Sequence, residues 1–242
     1  MKNVKLRITA NVQVGKDVYL MRLSGDCTAI RRPGEFINIS LPGYYLRRPI
    51  SVCDFTEESV DILYKILGHG TRDMSAYPPG TELDVLTGLG NGFEIKPGIK
   101  PMLIAGGIGI APMIALAKAY REMGIQPVLI YGAASKEDLV MLDILQELCQ
   151  VHLCTDDGSA GFSGNPVAFL KQFSIPYDYY YACGPQRMLK ALAQEFENGC
   201  LSLEARMGCG FGACMGCSIK TKHGPKRVCK EGPVFEASEV EL

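Results

Sequence analysis

Apolar and polar residues alternate in short runs over the first part of the chain, which is the pattern of strands that bury one face. Glycine and proline residues separate these runs and predict turns between them. The pattern predicts six strands, at 4–14, 18–23, 35–41, 50–53, 60–67 and 82–87. One short helix is expected at 71–76. Residues 1–97 are therefore predicted to form a small antiparallel β-barrel.

The pattern changes after the segment Lys-Pro-Gly-Ile-Lys-Pro at 96–101. Apolar strands now alternate with helices, which is typical of a doubly wound parallel sheet with helices on both faces. Strands are predicted at 102–105, 128–131, 151–154, 179–182 and 201–204. Helices are predicted at 112–123, at 135–148, from 166 onward and at 185–198. The expected organisation is a β-barrel at 1–97, an α/β domain at 98–200 and a small C-terminal segment at 201–242.

Three helix boundaries are predicted from local chemistry. Ser135 with Asp138 three residues later is a capping-box pattern, and Pro166 suits the first position of a helix that begins after Asn165. Gly199 is expected to end the last helix.

Composition excludes several classes of function. Hydrophobic residues make up 47% of the chain and charged residues 21%, as in an ordinary globular protein, and the formal net charge is −1. This charge argues against a nucleic-acid or anionic-membrane surface. No apolar stretch approaches the ~20 residues needed to span a bilayer. The first residues do not resemble a signal peptide, so a cytoplasmic location is expected.

The C-terminal segment carries the most specific chemical pattern. Cys209, Cys214, Cys217 and Cys229 follow the C-x4-C-x2-C spacing with a distant fourth cysteine, which is the plant-ferredoxin pattern for a [2Fe–2S] cluster. Interspersed glycines allow the backbone to wrap its N–H groups around the sulfurs. Such a cluster transfers one electron at a time. A zinc site remains an alternative, although zinc sites usually show two short cysteine pairs. Disulfides are disfavoured in a reducing compartment.

Three glycines, Gly106, Gly107 and Gly109, join the first strand of the α/β region to its helix. They would let the backbone approach a pyrophosphate, which the helix N-terminus also attracts. The alternative is that these glycines serve only close packing of strand and helix. Their position on the first strand of a doubly wound sheet favours a nucleotide site.

Two segments of the barrel region could also hold phosphate. In the run Arg-Arg-Pro-Ile-Ser at 47–51, an arginine offers a guanidinium fork for phosphate oxygens and Ser51 can hydrogen-bond a heterocycle. The alternative is a solvated arginine pair. Gly-His-Gly-Thr at 68–71 is a second possible cradle, with His69 expected on a surface loop.

Cys183 and Gly184 follow the fourth α/β strand, at the same sheet edge as the glycine turn. A small thiol before a Gly-Pro turn leaves room for a flat ring at the strand end. The alternative is a buried structural cysteine, which is also the default for the other cysteines outside the C-terminal motif.

Together these segments resemble the ferredoxin–NADP reductase superfamily. Arg-Pro-Ile-Ser at 48–51 looks like its flavin motif, Gly-Gly-Ile-Gly-Ile-Ala-Pro at 106–112 like its pyridine-nucleotide loop, and Cys-Gly-Pro at 183–185 like the motif beside the nicotinamide. With the cysteine motif at 202–217, the whole chain resembles more narrowly the electron-transfer subunits of B-type, NAD-dependent dihydroorotate dehydrogenases.

This resemblance implies one FAD, one [2Fe–2S] cluster and NAD as cofactors. Arg48 would hold the FAD pyrophosphate and Ser51 would contact the flavin ring. The remaining implied flavin contacts are Pro49, Ile50, Leu63, Tyr64, Lys65, Gly70 and Thr71. Ile50 departs from the superfamily, which usually has an aromatic residue there, and Tyr64 could supply part of that stacking.

The resemblance also implies a partner, a catalytic subunit that carries FMN in a TIM barrel, in a heterotetramer with two of each subunit. Orotate chemistry would belong to the partner, so no catalytic side chain is assigned here. Basic residues flank the last cysteine and either offset the cluster's charge, dock the partner or are simply solvated: Lys220, Lys222, Lys226, Arg227 and Lys230.

NAD is expected over NADP because the segment Thr-Asp-Asp at 155–157 follows the third α/β strand, where carboxylates would repel a 2′-phosphate. Two other functions remain open. One is the flavin and iron–sulfur subunit of an NAD(P)H:ferredoxin oxidoreductase or a hydrogenase. The other is a zinc-stabilised nucleotide-binding regulator, which predicts a colourless protein.

Overall fold

A computed structural model describes residues 1–242, and two large sheets dominate it. The first is a closed six-stranded barrel, and the second is a seven-stranded sheet. The barrel strands are β1 (Lys2–Gly15), β2 (Val18–Ser24), β3 (Phe36–Ile39), β4 (Arg48–Phe55), β5 (Ser59–Lys65) and β6 (Glu82–Leu89). A short helix, α1 (His69–Ser75), follows β5.

The barrel strands run in the order β1-β2-β5-β4-β3-β6, and each pairs antiparallel with its neighbours. Alternate side chains fill the interior, among them Leu6, Ile8, Met21 and Ile62, each at most 1% exposed. The predicted antiparallel barrel is therefore confirmed, with all six strands near their expected positions. His69 is exposed as expected, but it begins α1 and does not lie in a loop.

The remaining strands and helices follow in alternation. The strands are β7 (Pro101–Gly106), β8 (Val128–Ala133), β9 (Gln150–Thr155), β10 (Phe162–Ser163), β11 (Tyr179–Cys183), β12 (Gly199–Ser202), β13 (Ser218–Ile219), β14 (Lys226–Arg227) and β15 (Val234–Glu236). The helices are α2 (Ala111–Glu122), α3 (Leu142–Leu148), α4 (Pro166–Gln172) and α5 (Gln186–Glu195).

The second sheet has the order β10-β9-β8-β7-β11-β12-β15, and every pair is parallel except β12 with β15. Successive residues of β7 face opposite sides. Met102 and Ile104 pack with α4 and α5, while Leu103 and Ala105 pack with α2 and α3. Helices thus cover both faces, and the predicted doubly wound sheet is confirmed.

The helix predicted at 135–148 is wrong in its first half. Ser135 donates its hydroxyl to Asp138 at 3.0 Å, but only a short 3-10 turn forms at Lys136–Asp138. Leu139 and Val140 are then buried, and Met141 takes a left-handed φ of 61° before α3 begins. The backbone at Leu139 is extended, with a φ of −80° and a ψ of 118°, so tertiary packing overrides the local helix signal here.

The last helix also ends earlier than predicted. α5 stops at Glu195, and Gly199 is not its cap but the first residue of β12. A Cβ atom on Gly199 would lie 2.3 Å from the ring of Tyr180, so glycine is required there for strand packing. Consequently β12 lies two residues earlier than the strand expected at 201–204. The start of α4 is confirmed, since the Asn165 side chain accepts a hydrogen bond from Ala168 N at 3.0 Å.

The C-terminal segment is fastened to both larger units. β15 adds an antiparallel edge strand to the parallel sheet, and β13 with β14 forms a small hairpin. Asn91, just beyond β6, donates to the carbonyl oxygens of Glu231 at 3.0 Å and Val234 at 2.7 Å. No helix in the structure is long and apolar enough to cross a membrane.

Candidate cofactor-binding sites

A cavity of ≈290 Å³ lies between β4 and β5 of the barrel and the carboxyl edge of the second sheet. It is the candidate site for the flavin and is called the flavin cavity below. All of the flavin contacts implied by the sequence except Gly70 line it: Arg48, Pro49, Ile50, Ser51, Leu63, Tyr64, Lys65 and Thr71. Gly109 and Cys183 face the same cavity from the sheet. Tertiary structure therefore brings together segments that lie far apart in the sequence.

Gly70 explains how Arg48 is held at this cavity. The guanidinium packs so closely over the backbone of α1 that a Cβ atom on Gly70 would lie 2.5 Å from Arg48 Nε. The same guanidinium lies over the ring of Tyr44, 4.4 Å from its centroid. A cation stacked on an aromatic ring and seated on a glycine is pre-oriented, which suits binding of a phosphate.

Tyr64 lines the cavity but is almost fully buried. It is 2% exposed, stacks on Tyr19 with ring centroids 5.8 Å apart, and donates its hydroxyl to Asn11 Oδ1 at 3.0 Å. Burial raises its pKa above the ordinary range. Tyr64 is therefore fixed in the barrel wall, and the aliphatic side chain of Ile50 lines the same cavity.

A larger cavity of ≈760 Å³ lies over the carboxyl ends of β7, β8 and β11. Gly106 and Gly107 line it, but the three glycines of this turn have different roles. A Cβ on Gly106 would meet Pro185, and one on Gly109 would lie 2.3 Å from Cys183 O. Gly107 has a φ of 54° and open space beside it. Gly106 and Gly109 thus serve close packing, while Gly107 leaves the backbone open to a ligand.

Cys183 is 3% exposed, and burial raises the pKa of its thiol to about 12. It is therefore a neutral thiol at the edge of the flavin cavity. The other cysteines outside the cluster motif are also buried, as expected: Cys27, Cys53, Cys149, Cys154 and Cys200.

The three residues of the Thr-Asp-Asp segment at 155–157, at the end of β9, have different roles. Thr155 is buried and exchanges hydrogen bonds with the backbone of Ala160. Asp157 accepts from the Ser159 hydroxyl at 2.6 Å and holds a turn. Asp156 is exposed and lines the larger cavity. Of the two carboxylates, only Asp156 faces the larger cavity.

The cysteine motif forms loops whose N–H groups point at sulfur. Ala213 N donates to Cys209 Sγ at 3.2 Å, and Cys229 N donates to Cys217 Sγ at 3.4 Å. Cys209 N and Cys214 N each donate to the other residue's sulfur, at 3.4 and 3.5 Å. These N–H···S contacts group the cysteines as two pairs, which matches two irons that each take two thiolates.

The two ends of the motif differ electrostatically. Burial disfavours the Cys209 thiolate, but backbone donors from Phe211, Cys214 and Ala213 outweigh it and lower the pKa to about 6. Burial raises the pKa of Cys229 to about 12. No group of three or more His, Cys, Asp or Glu side chains lies close enough together to hold a metal ion as one centre. The cysteine ligand set remains a prediction that rests on spacing, pairing and sulfur-directed N–H groups.

The basic residues near Cys229 are not equally available. Lys226 pairs with Glu239 at 2.7 Å, and Arg227 Nε donates to Glu231 at 3.0 Å. Lys220, Lys222 and Lys230 are exposed. The first two therefore stabilise the C-terminal fold, and only the exposed lysines are available to a partner.

Sequence reasoning missed one wall of the flavin cavity. The run from Ser202 to Ala205, with Met207 and Pro233, lines the cavity opposite the barrel. The sequence offered one clue to this wall, namely that the run joins β12 directly to Cys209. The cluster loop therefore begins at the wall of the flavin cavity.

Comparison with known protein families gives two matches. Residues 204–241 match the iron-sulfur cluster binding domain of dihydroorotate dehydrogenase B, and residues 103–194 match the oxidoreductase NAD-binding domain. Curated relatives agree over the full length. The chain is 38% identical to the dihydroorotate dehydrogenase B (NAD(+)) electron transfer subunit of Fusobacterium nucleatum, over 100% of both chains. It is 36% identical to that of Bacillus caldolyticus, over 98% of both.

Solved structures show the same architecture. A structure of an NADH-dependent reduced ferredoxin-NADP oxidoreductase, described in terms of flavin-based electron bifurcation, superposes with a TM-score of 0.89 and 30% identity, over 98% of this chain and 89% of that one. Phthalate dioxygenase reductase superposes with a TM-score of 0.68 and 18% identity, over 91% of this chain and 87% of that one. The latter likeness concerns the fold alone.

Proposed function

The chain belongs to the family of dihydroorotate dehydrogenase B electron transfer subunits, and we propose that it carries electrons between a catalytic partner subunit and NAD+ in pyrimidine biosynthesis. The proposed cofactors are FAD in the barrel cavity, a [2Fe–2S] cluster on the cysteine loops and NAD in the larger cavity. NAD exchanges hydride, a [2Fe–2S] cluster exchanges single electrons, and FAD can do both.

The observation that carries this proposal is the order of the three sites. Lys65 lines both cavities, so the nucleotide cleft and the flavin cavity adjoin. Met207 lines the flavin cavity and lies two residues before Cys209. The flavin cavity therefore lies between the nucleotide cleft and the cysteine loops, as required of a protein that converts hydride transfer into single-electron transfer.

The chain's own residues bind and orient. Arg48 would hold the FAD pyrophosphate beside Gly70 and Thr71, and Ser51 would hydrogen-bond the flavin ring. Cys183, as a neutral buried thiol, would close one side of the ring's site without adding charge. Gly107 would let the NAD pyrophosphate approach the backbone. No side chain is assigned an acid or base role.

The partner proposed is an FMN-containing dihydroorotate dehydrogenase catalytic subunit, in a heterotetramer of two of each chain. The outer edge of the cysteine loops supports a docking face there. Cys214 is exposed, and the side chains of Phe211 and Met215 beside it are 45% and 52% exposed. Apolar side chains around an exposed ligand would exclude water and bring the two redox centres close together. The proposed location is the reducing cytoplasm, since none of the cysteines is joined in a disulfide.

The experiment is the Cys229→Ser variant, with Cys27→Ser as a matched control. Both thiols are buried, but Cys27 lies in the barrel, away from the motif. Cys229→Ser is expected to lose iron–sulfur absorption and electron exchange with partner FMN, while NADH still reduces FAD. Cys27→Ser is expected to keep the iron–sulfur absorption and the electron exchange with partner FMN. Full overall activity in Cys229→Ser, or zinc instead of iron in the wild type, would overturn the proposal.

The 30% identity to the NADH-dependent ferredoxin-NADP oxidoreductase favours a second candidate, a subunit of an enzyme of that kind. The discriminating measurement is reconstitution. A chain that restores NAD-linked dihydroorotate oxidation to an FMN-containing catalytic subunit belongs to the first system. Failure there, combined with NADH-dependent reduction of ferredoxin, supports the second.

A further inference from the structure

Asn38 is a polar side chain in the fully buried strand β3 of the barrel. It is 1% exposed, and its Nδ2 donates to the carbonyl oxygen of Cys209 at 3.3 Å. Its Oδ1 has no hydrogen-bond partner. A buried amide whose oxygen is unpaired is costly compared with an apolar side chain of the same size. Its single hydrogen bond, to the first cysteine of the motif, therefore points to a positional role.

Gly210 fits this side chain closely. It has a φ of 78°, and a Cβ atom there would lie 2.3 Å from Asn38 Nδ2. Any other residue would push the loop away from the barrel. The hydrogen bond and the missing side chain together seat the residues around Cys209 directly on β3.

Asn38 also touches the flavin side of the barrel. It lies opposite Pro49 in the β3–β4 register, and Pro49 lines the flavin cavity. Arg47 donates to the Asn38 carbonyl at 3.4 Å and to that of Asp84 at 3.0 Å, which ties β3 to β6 and to the start of β4. One residue thus contacts both the strand that would hold the flavin and the loop that would hold the cluster.

We propose that Asn38 is a positioning residue that fixes the cluster loop relative to the flavin strand and so sets the rate of electron transfer between FAD and the cluster. This inference rests on the proposed function, because it needs both groups to be bound.

Asn91 provides a matched control from the same barrel. It fastens the other end of the cysteine segment through two donated hydrogen bonds, to Glu231 and Val234, and it accepts one from Val234 N at 3.1 Å. These contacts lie beyond Cys229 and not at a ligand. A purely structural role for both asparagines predicts that Asn91 matters at least as much as Asn38.

The test compares Asn38→Leu and Asn91→Leu with the wild type, each purified with FAD and iron. Stopped-flow absorption separates reduction of FAD by NADH from reduction of the cluster by FAD, and electron paramagnetic resonance records the reduced cluster. In Asn38→Leu the second step is expected to slow severalfold, because the rate of electron transfer falls steeply as the distance between the two redox groups grows. The first step should be unchanged, and the resonance should shift. Asn91→Leu should lower the melting temperature without changing the rate of cluster reduction or the resonance of the reduced cluster.

Equal cluster reduction rates and spectra in Asn38→Leu and the wild type would overturn the proposal, as would a slowing that Asn91→Leu shares. If Asn38→Leu does not retain iron, Asn38→Ser is measured instead, because its hydroxyl is too short to reach Cys209 O and the same slowing is expected. A wild-type rate in Asn38→Ser overturns the proposal. Failure of the proposed function is seen separately, as a wild-type protein that lacks flavin or iron.

Discussion

Replacing Gly70 by alanine tests whether the close contact between Arg48 and α1 serves FAD. The added Cβ would lie 2.5 Å from Nε and 2.6 Å from Nη2 of Arg48. Ordinary contact begins near 3.5 Å, so the guanidinium has to retreat by about 1 Å. Because the end of an arginine is flexible and alanine favours helices, the fold should tolerate the change. The substitution should therefore weaken binding of the ligand that Arg48 contacts and leave the stability of the fold nearly unchanged.

The size of the effect follows from the lost interaction. A hydrogen bond to a charged group contributes about 1.5–3 kcal/mol, and about 1.4 kcal/mol corresponds to tenfold in affinity. Gly70→Ala is therefore expected to raise the dissociation constant for FAD by about 10- to 100-fold. The measurement is titration of FAD-depleted protein, followed by quenching of flavin fluorescence, with the melting temperature of the depleted protein recorded in parallel.

Gly68→Ala is the matched control in the same loop. Gly68 has an extended backbone, with a φ of −171°, and no atom within 4 Å of an added Cβ. Its affinity for FAD should stay within about twofold of the wild type, because the added Cβ meets no neighbouring atom and leaves Arg48 in place. Wild-type affinity in Gly70→Ala would refute the assignment of Arg48 to the FAD pyrophosphate. Equal losses of FAD affinity in both variants would show that the loop as a whole, and not the contact with Arg48, is responsible.

Two further predictions concern the nucleotide cleft and the buried thiols. Asp156→Ala should raise KM for NADH by about tenfold and improve use of NADPH, because a carboxylate that accepts ribose hydroxyls is lost. Asp157→Ala alters only the turn at Ser159 and should leave the preference for NADH over NADPH unchanged. Steady-state kinetics with both nucleotides measure this preference, and a larger change in Asp157→Ala than in Asp156→Ala would contradict the assignment. Burial raises the pKa of Cys154 to about 12, against about 8.5 for an unfolded thiol. Its contribution to the free energy of unfolding is therefore present below about pH 8.5 and is lost toward pH 12, by about 1.4 kcal/mol per pH unit. Urea unfolding at pH 8 and pH 10 should show a smaller decrease in Cys154→Val than in the wild type, and equal decreases would contradict the assignment.

Local patterns in the sequence were sufficient for the architecture. Strand periodicity and turn residues predicted the six barrel strands and the alternation that follows, since both signals act over a few residues. The Asn165-Pro166 helix start was equally local. The cysteine spacing also carried a specific hypothesis, because the ligands of a [2Fe–2S] cluster lie mostly within one short loop.

Tertiary contacts decided what local patterns could not. The helix signal at 135–148 was overridden where Leu139 and Val140 are buried, and Gly199 proved to serve packing against Tyr180. The roles of Gly106, Gly107 and Gly109 could be separated only once the neighbouring strand end was in place.

The sequence by itself determined the two sheets, the cysteine motif and the segments that could bind nucleotides, because each depends on residues close together in the chain. Only the tertiary structure decided which of these residues meet. Asn38 and Cys209 are separated by 171 positions, and no local pattern marks their hydrogen bond. The physical reason is that burial and contact depend on how the barrel, sheet and C-terminal segment pack, and this packing is a property of the whole chain.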